Sequence, residues 1–189
     1  MVVFDATMLS LLFRPGSPGP LDPSTGARVE HADLRVAALV EQLEKARTVI
    51  IIPTPVLSEV LIKAGNSGPA ILAAIQRSSA FRIVGFDARA AVELAQLTND
   101  LASRADKRAG IEAPWSKIKF DRQIVAIARV NRAAAIYTDD DKLITFAVLN
   151  DISCIRVADL PIPASARQGQ LPFEAGEPNE TPNDEPETA

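Results

Sequence analysis

Five short apolar runs, rich in β-branched residues, recur along this chain: MVVF at 1–4, TVIII at 48–52, FRIVGF at 81–86, AAAIYT at 133–138 and ISCIRV at 152–157. Between them lie segments in which apolar residues return every three or four positions, the spacing of a helix with one buried face. ADLRVAALVEQLEKAR places Leu34, Ala37, Ala38, Leu39 and Leu43 on such a face, with Asp33 as its expected N-cap. TPVLSEVLIKAG has Thr54 to cap it, Pro55 for its first turn and Gly65 to end it. PAILAAIQRSS, DARAAVELAQLTNDLASRA, DRQIVAIARVNR and DDKLITFAVLN complete the helical set. Strands alternating with helices build βαβ units, so the pattern predicts an α/β fold of three layers, α/β/α, around a central, mostly parallel sheet covered on both faces.

The chain has 189 residues, enough for one well-buried domain and short for two. Hydrophobic residues are 47% of it, but no apolar run reaches the roughly 18 to 20 residues that span a bilayer. The N-terminus carries Asp5 inside its apolar run and has no basic stretch before it, so it does not read as a signal peptide. The one cysteine, Cys154, excludes an intrachain disulfide and a cysteine-based zinc cluster, and a reducing cytoplasm is the expected location. His31, the one histidine, falls in the Pro/Gly-rich stretch RPGSPGPLDPSTGARVEH and reads as a surface residue. Histidine catalysis and multi-histidine metal sites are thereby set aside.

Charge is unevenly spread. Residues 161–189 hold one cation and six acids, which leaves about +1 for residues 1–160. The acidic, proline-containing end has almost no apolar residues and reads as a disordered tail beyond a single domain at 1–160. It is either an inert linker or a competitor that folds its acids over a basic segment.

Acids also occur where an ordinary fold has little use for them. In open parallel sheets, ligands bind beyond the carboxyl ends of the strands. Asp5 follows the first strand, and Asp139, Asp140 and Asp141 follow the fourth. Glu59 interrupts the apolar helix PVLSEVLI, and Asp121 opens DRQIVAIARV. Each has an ordinary explanation. Asp121 could be an N-cap, the triple Asp a complement to a helix dipole, Asp5 a cap, and Glu59 an i,i+4 partner of Lys63. Taken together, those explanations leave several anions gathered without assigned cations. A divalent ion reverses the repulsion, and oxygen-only ligands suit Mg2+ or Mn2+.

The acid ending VVFDAT, the Glu in TPVLSEVL, the Asp opening DRQIVAIARV and the turn YTDDDKL, in that order over residues 1–160, resemble a PIN domain, in particular the VapC-type ribonucleases of bacterial toxin–antitoxin pairs. The resemblance implies a Mg2+- or Mn2+-dependent endoribonuclease that leaves a 5′-phosphate and a 3′-hydroxyl. Its acids fall on Asp5, Glu59, Asp121 and Asp140, with Asp139 and Asp141 as neighbouring alternatives. Thr7 and Thr138 fall where small hydroxyl residues would orient a ligand or a water. A cognate antitoxin and a homodimer are implied partners.

An acidic pocket needs cations around it to receive RNA. Arg104, Lys107, Arg108, Lys117, Lys119 and Arg122 cluster about Asp121 and could contact phosphates, and Trp115 among them could stack on a base. The plainer alternative is a solvated loop with one anchoring Trp. Among other functions, a non-catalytic RNA-binding or scaffold module would keep the fold without the chemistry. A haloacid-dehalogenase-like phosphatase would want Asp-x-Asp after the first strand, where this chain has DAT, and a receiver domain would want paired acids there.

Overall fold

The structure, a computed structural model, describes residues 1–102 and 115–167, with the backbone alone at 100–102, 115–117, 165 and 167. Its five strands are β1 (Val2–Phe4), β2 (Ile50–Pro53), β3 (Phe81–Val84), β4 (Ile136–Tyr137) and β5 (Cys154–Ile155). They form one all-parallel sheet in the order β3-β2-β1-β4-β5. The helices are α1 (Ala6–Phe13), α2 (Ala32–Lys45), α3 (Thr54–Ala64), α4 (Gly68–Arg77), α5 (Ala88–Ala102), α6 (Trp115–Val130), α7 (Asp141–Val148) and α8 (Ala164–Arg167).

The inner strands β1, β2 and β4 are apolar along their whole length because helices cover the sheet on both faces, whereas the edge strand β3 carries the exposed Arg82. Val3, Phe4, Ile50, Ile51, Ile52 and Ile136 are completely buried. Each of these side chains contributes roughly 1.5–3 kcal/mol over leaving it in water. Phe4 meets Tyr137 edge-on at 5.4 Å across the β1–β4 pair.

The chain leaves β1 toward β2 and β3, then returns over α5 and α6 to put β4 on the other side of β1. The strand order therefore reverses between β1 and β4, where a crevice opens beyond the strand ends. The walls of that crevice come from α3 and α6, which pack against each other.

Several elements differ from the sequence expectation. ATMLSLLF forms α1, whose Met8, Leu9 and Leu11 are buried. Uniform hydrophobicity had concealed its period. Asp33 is not the cap of α2. His31 takes that position with φ 53°, and Asp33, in the first turn, accepts a hydrogen bond from the Gly16 amide at 3.0 Å. Pro53 rather than Thr54 holds the cap position of α3, and Gly65 ends that helix, as expected, at φ 53°.

The proline-rich stretch is ordered. A bridge joins Leu21 to Arg28, and Gly19 lies so close to the Val29 carbonyl that a side chain would not fit. Past residue 160 the chain makes the short helix α8, and residues 168–189 of the expected tail lie outside the described residues. Among the described residues no helix is long and apolar enough to cross a membrane.

Candidate active site

Two site residues are last rungs of the sheet. The Asp5 amide donates to the Tyr137 carbonyl at 3.1 Å, and the Thr138 amide to the Ile155 carbonyl at 3.0 Å. Continuing the ladder past the formal strand ends fixes both backbones side by side. Thr138, wholly buried, then donates its hydroxyl to Asp5 Oδ2 at 2.8 Å and accepts from the Asp140 amide at 3.0 Å. One hydroxyl thus ties the acid after β1 to the turn after β4. Asp5 precedes α1 but its side chain makes no capping bond, so the cap explanation for it fails.

Asp140 does cap α7, accepting from the amides of Lys142 at 2.9 Å and Leu143 at 3.4 Å. A capping carboxylate uses one oxygen this way, and here both bonds fall on Oδ1. Asp139 and Asp141 point elsewhere. Asp139 Oδ1 accepts from the Val157 amide at 3.3 Å, and its buried Oδ2 has no hydrogen-bond partner. Asp141 is ion-paired with Arg156, whose guanidinium also reaches the Asp139 carbonyl at 3.3 Å. Arg156 thereby holds the outer side of the triple-Asp turn, a role the sequence did not signal.

Asp121 does not open its helix. α6 begins at Trp115, which leaves Asp121 in the second turn, 7% exposed, where a cap is geometrically excluded. Glu59, half exposed on α3, pairs with Lys63 at 2.6 Å, as the ordinary i,i+4 explanation expects.

Asp5, Glu59, Asp121 and Asp140 nevertheless line one cleft of about 600 Å³, together with Thr7, Lys63, Ile62 and Phe120. The α3 residues in the lining, Pro55, Ser58, Glu59, Ile62 and Lys63, fall at positions i, i+3, i+4, i+7 and i+8. That is a single helical face. Phe120, Asp121 and Ile124 form the facing stripe of α6. Neither His31 nor Cys154 takes part, and burial pushes the Cys154 thiol up to about 11.

The electrostatics favour an added cation. Burial raises the Asp5 carboxyl above its ordinary value, and the charges of Glu59 and Asp140 raise it further, against hydrogen bonds from the Ala6 amide and Thr138. An ionised Asp5 is therefore under-compensated by the protein alone. The donors facing the cleft are carboxylate and hydroxyl oxygens, the chemistry that hard divalent ions take. Among the described residues no three acidic side chains are gathered as tightly as a bound ion would hold them. The oxygen donors of the lining match Mg2+ or Mn2+ in chemical type.

The expected RNA contacts fare unevenly. Arg104, Lys107 and Arg108 lie outside the described residues, as do the side chains of Trp115 and Lys117. Lys119 is exposed on α6. Arg122 does not face solvent: it is 3% exposed, with its guanidinium 4.9 Å from the Phe146 ring centre. Its guanidinium is buried against that aromatic face, a favourable cation–π arrangement.

Burial pushes the Asp139 carboxyl up to about 6; the Val157 amide and Arg156 oppose this, and Asp5 and Asp159 add to it. A raised value means that the folded state favours the protonated form. The stabilisation is complete below the ordinary value of 3.8 and is lost as pH rises through about 6. In chelator, the melting temperature of the wild type is expected to fall by a few degrees relative to Asp139→Asn over that window, then run parallel above it. Parallel curves throughout would show that Asp139 ionises without penalty.

The fold and cleft define an α/β/α sandwich with a carboxylate pocket at the sheet's switch point. The PIN domain model matches residues 29–149, well over half of the chain, and the chain belongs to the PIN domain family. Among solved structures it is similar to VapBC2 from Rickettsia felis bound to a DNA fragment from their promoter. The TM-score is 0.55 at 15% identity, covering 82% of this chain and 98% of that one. It is also similar to FitAB bound to an IR36 DNA fragment, with a TM-score of 0.54 at 19% identity, covering 86% and 99%. At these identities the likeness is one of fold. No match was found among curated proteins.

Proposed function

We propose that this chain is a Mg2+- or Mn2+-dependent endoribonuclease that hydrolyses RNA phosphodiester bonds, and that it is the toxin of a toxin–antitoxin pair. The observation that carries this reading is the arrival of Asp5, Glu59, Asp121 and Asp140, from four separate segments, in one cleft. Membership of the PIN domain family supports it. Those four side chains would hold the metal, while Asp139 and Asp141 would shape the turn behind Asp140. A bound ion supplies an activated water and charge to offset that developing on the phosphate. Thr138 fixes the Asp5 carboxylate and the Asp140 backbone, and Thr7 offers a second hydroxyl in the lining. Lys119 stands exposed on α6 to meet the RNA backbone. The VapBC2 and FitAB structures both carry DNA. From that likeness we extend to a cognate antitoxin protein; a homodimer is what the family resemblance of the sequence implies, and a cytoplasmic setting is what its cysteine usage suggests.

The test is incubation with labelled RNAs in Mg2+, Mn2+ or chelator. Cleavage in metal, ending in a 5′-phosphate and a 3′-hydroxyl and stopped by chelator, is expected; cleavage that persists in chelator contradicts the mechanism. A second reading, an RNA-binding module without catalysis, is favoured by Lys63, whose ammonium takes the cation's place beside Glu59 at 2.6 Å. It expects RNA binding with no cleavage in either metal.

If Glu59 is a ligand, Lys63 competes with the ion. An exposed pair of this kind is worth about 0.2–1 kcal/mol, so Lys63→Gln should tighten Mn2+ binding roughly 1.4- to fivefold. Titration followed by electron paramagnetic resonance measures this. Unchanged or weaker binding would remove Glu59 from the ligand set.

A further inference from the structure

A helix turns its positive end toward its first residues, so a cation in the first turn is out of place unless an anion answers it. Arg89 is the second residue of α5 and is exposed. Asp87, just before the helix, spends its Oδ1 on the Ala90 amide at 2.9 Å, and Arg89 makes no ion pair among the described residues. Arg89 lines a groove of about 530 Å³ between α5 and the end of α6, together with Val92, Glu93, Arg129 and Arg132. Glu93 is taken by Arg129 at 2.8 Å, and the same guanidinium donates to the Asn150 carbonyl at 3.2 Å. Arg132, exposed like Arg89, likewise has no ion pair among the described residues. Two cations are thus in excess there, beside Val92, which stands 60% exposed. Two other grooves offer less: one balances Arg47 with Glu44, and the other has Arg14 as its one charged residue. No residue lining the arginine groove belongs to the carboxylate cleft.

We propose that this groove is where the acidic end of the same chain docks, rather than over the cations about Asp121. The inference does not rest on the endoribonuclease reading. Residues 168–189 carry six acids and no cation, and all six fall between Glu174 and Glu187. Charge selects the groove, because reach does not limit the choice. Glu177 can lie up to about 33 Å from Arg167 and Glu187 about 66 Å, whereas a domain of this size has a radius of gyration of roughly 15 Å. Pro178, Pro182 and Pro186 recur every four residues among the acids. A proline's fixed φ cuts the entropy lost on laying a chain along a groove, and its ring offers Val92 an apolar face. Exposed ion pairs are individually weak. A tethered segment makes up for this by staying at roughly millimolar effective concentration. An RNA backbone would also answer two arginines, but it would have to displace a segment that is always at hand. A tail held there keeps its acids from Asp5, Glu59, Asp121 and Asp140, where they would compete for a divalent ion.

The test uses the full chain carrying Cys154→Ser and Thr181→Cys, with a nitroxide attached at position 181 and backbone amides followed by magnetic resonance. Amide signals of residues 88–93 and 129–132 should broaden at low salt. They should recover at about 1 M salt, where the Debye length falls to about 3 Å. Arg89→Glu combined with Arg132→Glu should abolish the broadening. Replacing the six tail acids by their amides, which leaves the domain itself unaltered, should do the same. Arg89→Glu alone should hold or raise the melting temperature, because an anion suits the first turn of α5. A marked fall would show that Arg89 already has its anion within the domain, and overturns the proposal. Broadening that is absent, that appears elsewhere, about Lys119 for instance, or that survives both sets of substitutions overturns it as well. Broadening seen only between different molecules, in a mixture of spin-labelled and nitrogen-15 chains, would assign the groove to the tail of a second copy. Shifts of the Arg89 and Arg132 side-chain signals on adding single-stranded RNA, with no broadening from the tail, would assign it to nucleic acid. Either result overturns docking within one chain.

Discussion

Asp5→Asn should lower Mn2+-dependent RNA cleavage by about 10³-fold or more while leaving the metal-free protein as stable as the wild type, or more so. The first half follows from removing a charged ligand from an ion asked to supply several kcal/mol of transition-state stabilisation, where each 1.4 kcal/mol is tenfold in rate. The second half follows from burial. Asp5 is 7% exposed, and its carboxyl sits above its ordinary value because the interior penalises the ionised form. Asparagine has nearly the same shape, keeps an oxygen to accept the Thr138 hydroxyl, and carries no charge to desolvate. Activity lost with melting temperature held or raised is the signature of an acid kept for its chemistry. A structural acid would behave oppositely, with a lower melting temperature and cleavage reduced only in proportion to unfolding. Rates in Mn2+ and melting curves in chelator on the same preparations decide between the two.

Thr138→Val carries the second large effect. Valine matches threonine in shape but removes the one group that both donates to Asp5 and accepts from the Asp140 amide. The wholly buried position offers no water in exchange. Leaving the amide unsatisfied costs about 1–3 kcal/mol. Losing the donor that orients Asp5 should weaken Mn2+ binding about 10- to 100-fold, the usual scale for a residue that positions a ligand. Thr138→Ser keeps the hydroxyl and should recover most of the metal affinity, although it leaves a methyl-sized gap. Equal Mn2+ affinity in the valine and serine variants would reduce Thr138 to a packing residue.

How far the sequence revealed these features depends on the type of signal. The parallel sheet was legible because strands buried on both faces must be continuously apolar, and the runs VVF, IIIP and AAAIY have few other uses. The convergence of Asp5 and Asp140 was legible for a related reason: both follow such runs, and parallel strands bring their carboxyl ends to one edge. Periodicity failed where it had no contrast. ATMLSLLF is apolar on every side, so its helix left no stripe to read. It failed again at the start of α6, where cations crowd the residues before Asp121 and mask a helix that begins at Trp115. That error made Asp121 look like a cap, and correcting it removes the ordinary explanation for the acid.

Charge misled at Arg122, which was assigned to phosphate contact because it sits among the cations about Asp121, yet its planar guanidinium packs over Phe146. The Glu59–Lys63 pair was legible from its i,i+4 spacing, and Lys63 lies within the cleft beside that proposed ligand. Phe120 and Arg156 carried no sequence signal because their significance is purely spatial. One stands exposed at the rim of the cleft, and the other clasps the turn behind Asp140.

A crystal grown in Mn2+ and measured at the manganese absorption edge tests the central claim most directly. The account predicts an anomalous peak bounded by oxygens of Asp5, Asp121 and Asp140, with Glu59 turned from Lys63 toward the ion. A cleft that binds no manganese, with Lys63 still on Glu59 and the other carboxylates pointing apart, would contradict it.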